Sequence, residues 1–323
     1  MMQAIVQDSY GSAEVLHLTK IHQPQIAAHE LLLRVHAAGL DRGVWHLMTG
    51  RPYLIRLVSG LRKPKNPVPG SDVAGTVLAV GSAVTRFSIG DEVFGVGRGT
   101  FAEYTVAQED QLARKPANLS FEQAAVVPVS ACTALQALRA AGRIEPGQKV
   151  LITGASGGVG SYAVQLAKAF GAEVTGVSRT EKLDLVRSLG ADHVIDHTRD
   201  DFADGVHRYD VIIDIAGNPT LSRLRRALTR TGTAVITGGE TDGRFAGGND
   251  RQMRALILSS FISQRLTTFV GKQPASDLEQ LRELIESGQV TPSIGQSYPL
   301  AQAPEAMRHL DAGAARGKIV ITI

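Results

Sequence analysis

The chain has 323 residues, 43% hydrophobic and 20% charged, with a formal net charge of +3, the profile of a globular protein long enough for about two domains with their own cores. Its basic residues are scattered, without the basic run and interleaved aromatics of a nucleic-acid surface, so no nucleic-acid partner is expected. A single cysteine, Cys132, excludes an intrachain disulfide framework, and with no basic-then-apolar opening segment and no uninterrupted apolar span the chain reads as soluble and cytoplasmic, without a membrane partner.

Periodicity changes twice along the sequence. Over residues 4–126 the runs at 31–35, 73–80 and 91–94 are short, rich in strand formers and bounded by Gly39, Gly70, Gly81 and Gly90, as in an irregular barrel. The loop 53–69 carries Leu54, Ile55, Leu57, Val58 and Leu61 among Arg56, Arg62, Lys63 and Lys65. It either shapes a pocket or is a surface excursion with a small hydrophobic cluster. From 127 to 272 helix and strand alternate, with strands at 150–153, 173–177, 193–195, 210–214, 234–237 and 267–270. Six such strands make a complete doubly wound α/β sheet. A helix at 276–287 and a strand at 318–323 fit neither a further repeat of this pattern nor a linker, and imply a return to the first domain.

The most informative segment is Lys149-Val150-Leu151-Ile152-Thr153 followed at once by Gly154-Ala155-Ser156-Gly157-Gly158-Val159-Gly160. A buried strand, a glycine-rich turn and a helix start let backbone approach a pyrophosphate and point helix N–H groups at it. The spacing is Gly-x-x-Gly-x-x-Gly, so an ordinary strand-to-helix turn is the competing reading. Downstream, helical spacing from 159 to 170 ends at Gly171, and the next strand ends in Ser178-Arg179. An NAD site places an acid there, whereas the 2′-phosphate of NADP needs small polar groups and a cation, which Ser178, Arg179 and Lys182 supply. Arg179 could instead be a solvated loop charge, and Glu181 could be the acid.

Several ordered motifs span essentially the whole chain: Pro69-Gly70-Ser71-Asp72-Val73-Ala74-Gly75, Val80-Gly81, Gly90-Asp91-Glu92-Val93, Phe101-Ala102-Glu103-Tyr104, the glycine turn, and Arg316-Gly317-Lys318-Ile319-Val320. Together they resemble the medium-chain dehydrogenase/reductase superfamily, in particular its zinc-free quinone oxidoreductase-like branch. The resemblance implies a GroES-like β-barrel catalytic domain at 1–126, completed by 273–323, a Rossmann NADP(H)-binding domain at 127–272, an active site in the cleft and a homodimer through the sheet edge. It also implies cofactor contacts at Thr133, at Ala155, Ser156, Gly157, Gly158 and Val159, at Ser178, Arg179 and Lys182, and at His197. Ile215, Ala216, Gly217 and Gly238-Gly239 would pass beneath the cofactor, with Phe269, Val270 and Lys318 as further contacts.

No metal is expected. Zinc sites of related alcohol dehydrogenases use thiolate and imidazole ligands, but this chain has Gly39-Leu40-Asp41 where they carry a Cys and Gly70-Ser71-Asp72 where they carry Gly-His-Glu. Without a metal to polarise a simple carbonyl, hydride transfer to a quinone or an α,β-unsaturated ketone or aldehyde fits best, with a donor for the resulting oxyanion. The resemblance puts that donor between Asp41 and Tyr53. His46 and Tyr53 are candidates for oxyanion contact or proton relay, and Asp41 for orienting Arg42 or repelling anions. His46 packing beside Trp45 and Tyr53 merely lining a wall are the alternatives. A zinc-free alcohol dehydrogenase or carbonyl reductase and a non-enzymatic NADPH-binding protein remain the other classes.

Overall fold

The computed structural model describes residues 1–142, 144–217, 219–238 and 247–323. Two compact units emerge: Met1–Cys132 with Lys272–Gly288 and Pro292–Ile323, and Thr133–Gly271 with Gln289–Thr291. The first unit opens with β1 (Met2–Val6), β2 (His17–Ile21), β3 (Glu30–Leu40), α1 (Arg42–Thr49), a 3-10 turn at Tyr53–Ile55 and the one-turn helix α2 (Arg56–Ser59). It continues with β4 (Asp72–Val80), β5 (Glu92–Val96), β6 (Tyr104–Gln108), β7 (Leu112–Arg114) and α3 (Phe121–Ala125), and α4 (Pro128–Ala141) runs across the division. The second unit holds β8 (Lys149–Thr153), α5 (Gly158–Ala169), β9 (Glu173–Ser178), α6 (Leu183–Ser188), β10 (His193–Asp196), β11 (Tyr209–Asp214), α7 (Leu221–Ala227), β12 (Leu228–Ile236), α8 (Asn249–Ser259) and β13 (Arg265–Thr267). The chain then returns to the first unit with α9 (Ala275–Glu286), β14 (Ile294–Pro299), α10 (Ala303–Asp311) and β15 (Lys318–Thr322).

In the second unit the strands lie in the order β10-β9-β8-β11-β12-β13, all parallel. Chain order reverses direction between β8 and β11, and the crevice at the carboxyl ends of those strands is where such sheets take ligands. Val150, Leu151 and Ile152 of β8 are fully buried, as a parallel strand with both faces covered requires. Helix α5 buries Tyr162, Ala163, Val164, Leu166 and Ala167. Two strands differ from expectation. β12 starts at Leu228, where it pairs with Tyr209 ahead of the main ladder. β13 ends at Thr267, because the Thr268 hydroxyl takes the Ile236 carbonyl at 2.9 Å and turns the chain out of the sheet, leaving Phe269 and Val270 beyond it.

The first unit is built on a sheet in the order β14-β15-β3-β4-β5-β7, with β6 also paired to β3, and a separate β1-β2 hairpin. Its core gathers Ile5, Leu31, Leu33, Leu40, Phe101 and Met307 from both chain ends, which is why the C-terminal segment belongs here. One buried polar cluster ties three distant segments together. Asp72 at the start of β4 and Lys318 at the start of β15 are 0% and 2% exposed, with Lys318 Nζ 3.8 Å from Asp72 Oδ2. Lys318 donates to Ser130 Oγ at 2.9 Å, and Asp72 Oδ1 accepts from Val129 N at 3.0 Å. Both partners lie in the first turn of α4.

Burial pushes the Asp72 carboxyl up to about 8, against the pull of the Lys318 ammonium, and the Asp41 charge pushes the same way as burial. The folded state therefore holds a proton that the unfolded chain has lost above about pH 4. This group's contribution to stability falls as pH rises from about 4 to about 8, by at most about 1.4 kcal/mol per pH unit, and is level above that. Asp72→Asn flattens the pH dependence across this window, and it lowers stability above about pH 8, where it leaves Lys318 without its counter-charge. Urea unfolding at several pH values checks this; an unchanged slope in the variant contradicts the assignment.

Candidate functional site

At the carboxyl edge of the parallel sheet, β8 passes into α5 through Gly154, which has a φ of +69°. A Cβ on Gly160 would sit 2.1 Å from the Gly154 carbonyl oxygen, so only glycine lets α5 start this close to the strand. Gly157 is the N-cap and makes no side-chain cap, leaving the first N–H groups of α5 for an anion. Ala155 N donates to Val177 O at 3.1 Å and Ser156 Oγ bonds Ser178 Oγ at 2.7 Å, so the turn Ala155 to Val159 is fastened to the end of β9. His197 N donates to Ser178 O at 3.1 Å, which brings the end of β10 to the same edge. The His197 ring is exposed there.

Past Ser178 the backbone turns at Arg179, the N-cap of a 3-10 turn over Thr180–Lys182. Arg179 and Glu181 are both exposed, with Lys182 half-buried. The position next to the strand end therefore belongs to Ser178 and Arg179, and Glu181 lies further along the turn. Asp196 holds this turn in place. It accepts from the hydroxyls of Thr180 and Thr198, the latter at 2.7 Å, and these bonds hold its carboxyl down to about 2. Sequence reasoning passed over Asp196, since an acid at a strand end reads as a solvated charge.

A second network fixes the loops after β11 and β12. The Thr153 hydroxyl donates to Asp214 Oδ1 at 2.7 Å and accepts from Ile215 N and Ala216 N at 3.1 and 3.2 Å. Gly217 N reaches Asp214 Oδ1 at 3.3 Å, and Arg251 of α8 pairs with Asp214 and donates to Gly217 O at 3.0 Å. Gly238 packs against the Ile215 carbonyl, where a Cβ would lie 1.9 Å from the oxygen. Gly239 lies outside the described residues. A Cβ on Gly271 would lie 3.7 Å from Thr133 Oγ1 and 4.0 Å from the Phe269 ring, so these two residues flank one position, while Val270 is 84% exposed. Thr153, Asp214 and Arg251 were not singled out from sequence, because their roles depend on contacts across 37 to 61 residues of chain.

Lys318, an expected cofactor contact, lies in the buried polar cluster. Its ammonium faces inward to Ser130 and Asp72, and its side chain is 1% exposed. Asp41, expected to orient Arg42 or repel anions, is half-buried. Asp41 is the N-cap of α1, accepting from Val44 N at 3.2 Å, with Oδ2 buried and without a hydrogen-bond partner. Arg42 stacks on Trp45 and lies 3.7 Å from Asp311. His46 packs edge-on against Trp45, and its Nδ1 is 2.7 Å from Arg51 O. A carbonyl only accepts, so Nδ1 carries the hydrogen and the neutral ring presents Nε2 as an acceptor. Tyr53 opens the 3-10 turn, its ring under the Arg56 guanidinium at 4.7 Å.

A dinucleotide fits the second unit: bare helix N–H groups, a cradle that a Cβ would fill, and small polar and cationic groups at the end of β9. A catalytic zinc does not fit the first unit. A Cβ on Gly39 would lie 2.9 Å from Asp72 Oδ2 and 2.5 Å from Ala125 O, so no side chain extends from Gly39 without displacing its neighbours, and Asp41 of the same segment caps α1. The buried Asp72 already faces the Lys318 ammonium, and Cys132 is buried in α4. Among the described residues no group of three His, Cys, Asp or Glu could hold a metal ion.

Comparison with known proteins agrees with this architecture. Residues 27–117 match a family model described as an alcohol dehydrogenase GroES-like domain, and residues 189–321 match one described as a zinc-binding dehydrogenase. The chain is 34% identical to an NADPH-dependent alkenal/one oxidoreductase of Arabidopsis thaliana, over 99% of this chain and 79% of the relative. It is 32% identical to a quinone oxidoreductase of Mus musculus, over 100% and 98% of the two chains. The solved quinone oxidoreductase of Coxiella burnetii superposes with a TM-score of 0.89 at 28% identity, covering 100% of this chain and 99% of that one. The chain belongs to the medium-chain dehydrogenase/reductase superfamily, in its quinone oxidoreductase-like branch.

Proposed function

We propose that this protein is a zinc-independent, NADPH-dependent oxidoreductase that reduces a quinone or an α,β-unsaturated ketone or aldehyde. The observation that carries the reading is the Asp72–Lys318 pair: in the segment Gly70-Ser71-Asp72, set against the Gly-His-Glu of related alcohol dehydrogenases, the one carboxyl faces an ammonium, and among the described residues no group of three His, Cys, Asp or Glu could hold a metal ion. A substrate activated by its own conjugation needs less polarisation than a simple carbonyl. The relatives named for quinone and alkenal/one reduction support the same substrate class.

NADP(H) would rest on the Ala155 to Val159 turn with its 2′-phosphate toward Ser178 and Arg179, and it supplies the hydride. The first unit then has to stabilise an oxyanion and deliver one proton. The Tyr53 hydroxyl donates a hydrogen bond to that oxygen. His46, with its hydrogen on Nδ1, donates from Nε2 only as the imidazolium, so it serves as a relay that must first gain a proton. Asp41 caps the helix that carries His46 and fixes that ring's approach.

We also propose a homodimer through the edge of the parallel sheet. Met253, Leu256 and Ile257 form an exposed apolar stripe on α8, which packs beside the edge strand β13, and Phe261 extends it at 80% exposure. Static light scattering is expected to give the mass of two chains, and a monomer at working concentration contradicts the dimer. For the activity, initial rates of NADPH oxidation are measured with a chelator present against quinones, enones and saturated ketones. Chelator-resistant turnover of quinones or enones is expected, with Tyr53→Phe slower by about 10²-fold in kcat. Turnover confined to saturated ketones, or abolished by the chelator, contradicts the reading.

A further inference from the structure

The first unit carries a surface formed by side chains other than His46 and Tyr53, the two given to the oxyanion and the proton relay. Residues 42–71 contain six Arg or Lys and no Asp or Glu. Two of these cations are used internally: Arg42 lies near Asp311 and over Trp45, and Arg56 donates to Gly50 O at 3.0 Å between the rings of Tyr10 and Tyr53. Arg51, Arg62, Lys63 and Lys65 are exposed. Among them stand four apolar side chains facing solvent, Leu54 at 46%, Leu57 at 67%, Val58 at 72% and Leu61 at 69% exposure.

This exposure belongs to an ordered segment. The Tyr10 hydroxyl donates to Gly60 O at 2.6 Å and lies 2.8 Å from Ser59 Oγ, Gly60 N bonds Arg56 O at 2.9 Å, and Lys65 N bonds Ser59 O at 2.7 Å. The apolar side chains are therefore presented by a pinned scaffold, and binding through them needs little further ordering of the backbone. Clustered aliphatic side chains ringed by cations match a surface with an apolar interior and an anionic rim. A second copy of the chain is a poor occupant, since a two-fold contact on this patch sets its cations against one another.

We propose that the 51–65 segment is a docking surface for an anionic phospholipid bilayer. Leu57, Val58 and Leu61 enter the boundary between headgroups and acyl chains while Arg62, Lys63 and Lys65 contact lipid phosphates. This revises the expectation of no membrane partner. No helix among the described residues is long and apolar enough to cross a membrane, so the contact is peripheral. The proposal goes beyond the reductase reading and stands independently of it.

The test is flotation of the full chain with phosphatidylcholine vesicles and with vesicles enriched in phosphatidylglycerol, without nucleotide or substrate, so that vesicle binding and reductase activity are scored separately. The wild type is expected to float with the phosphatidylglycerol vesicles alone, and less so at high salt. Each cation at such a surface contributes about fivefold in partitioning, so Lys63→Glu is expected to weaken flotation by at least that factor. Leu57→Asp and Val58→Asp are expected to abolish it, while Ile89→Asp, at a 69% exposed apolar position elsewhere in the unit, leaves it unchanged. All four substitutions fall on exposed side chains, and thermal melting verifies that each variant is folded. The proposal is overturned if the wild type stays with the unbound fraction, if it floats equally with both vesicle types, or if Leu57→Asp and Ile89→Asp behave alike. Capture by an acidic polypeptide without vesicle binding overturns it in favour of a protein partner.

Discussion

The approach of one backbone to another, Gly160 against the Gly154 carbonyl, sets the geometry on which the second unit depends. Because α5 begins this close to β8, its first N–H groups stand at the sheet edge, and the Ser156–Ser178 bond fastens the same turn to β9. Thr153 and Asp214 extend the arrangement across β11 to the loop at Ile215, Ala216 and Gly217. The edge becomes a continuous rim of backbone and small side chains. Bulk is excluded where a cofactor would lie, and a cation is left at the far end, at Arg179.

The first unit answers a different constraint, the burial of titratable groups. Asp72 and Lys318 are drawn from positions far apart in sequence and bind the start of α4 through Val129 and Ser130. Above about pH 8, where Asp72 is charged, breaking the pair leaves an uncompensated buried charge, which costs more than the intact pair contributes. The pair thus joins β4, β15 and α4 and sits beside Gly39.

Much of this was legible in the sequence. The glycine turn, the alternation of helix and strand, and the return of the C-terminal strand to the first unit follow from periodicity and turn chemistry, and β8, β9 and β11 begin and end within a residue of expectation. What failed to show depends on contacts between distant residues. Nothing local marks Lys318 as a buried counter-charge, Asp196 as the clasp on the Arg179 turn, or Arg251 as the partner of Asp214. The end of β13 was misread because a side-chain hydroxyl, Thr268, replaces a backbone donor in the ladder. Asp41, read from sequence as orienting Arg42 or repelling anions, also caps a helix, a use that its place before Val44 makes natural once α1 is known to start at Arg42.

Specificity for the 2′-phosphate bears most directly on the cofactor reading, and calorimetric titration of NADPH and NADH into the wild type and Arg179→Ala measures it. The wild type is expected to bind NADPH more tightly than NADH, and the variant to lose about tenfold or more in NADPH affinity with NADH little changed. Equal losses for the two nucleotides, or a wild type without preference, would contradict the placement of the 2′-phosphate at Ser178 and Arg179.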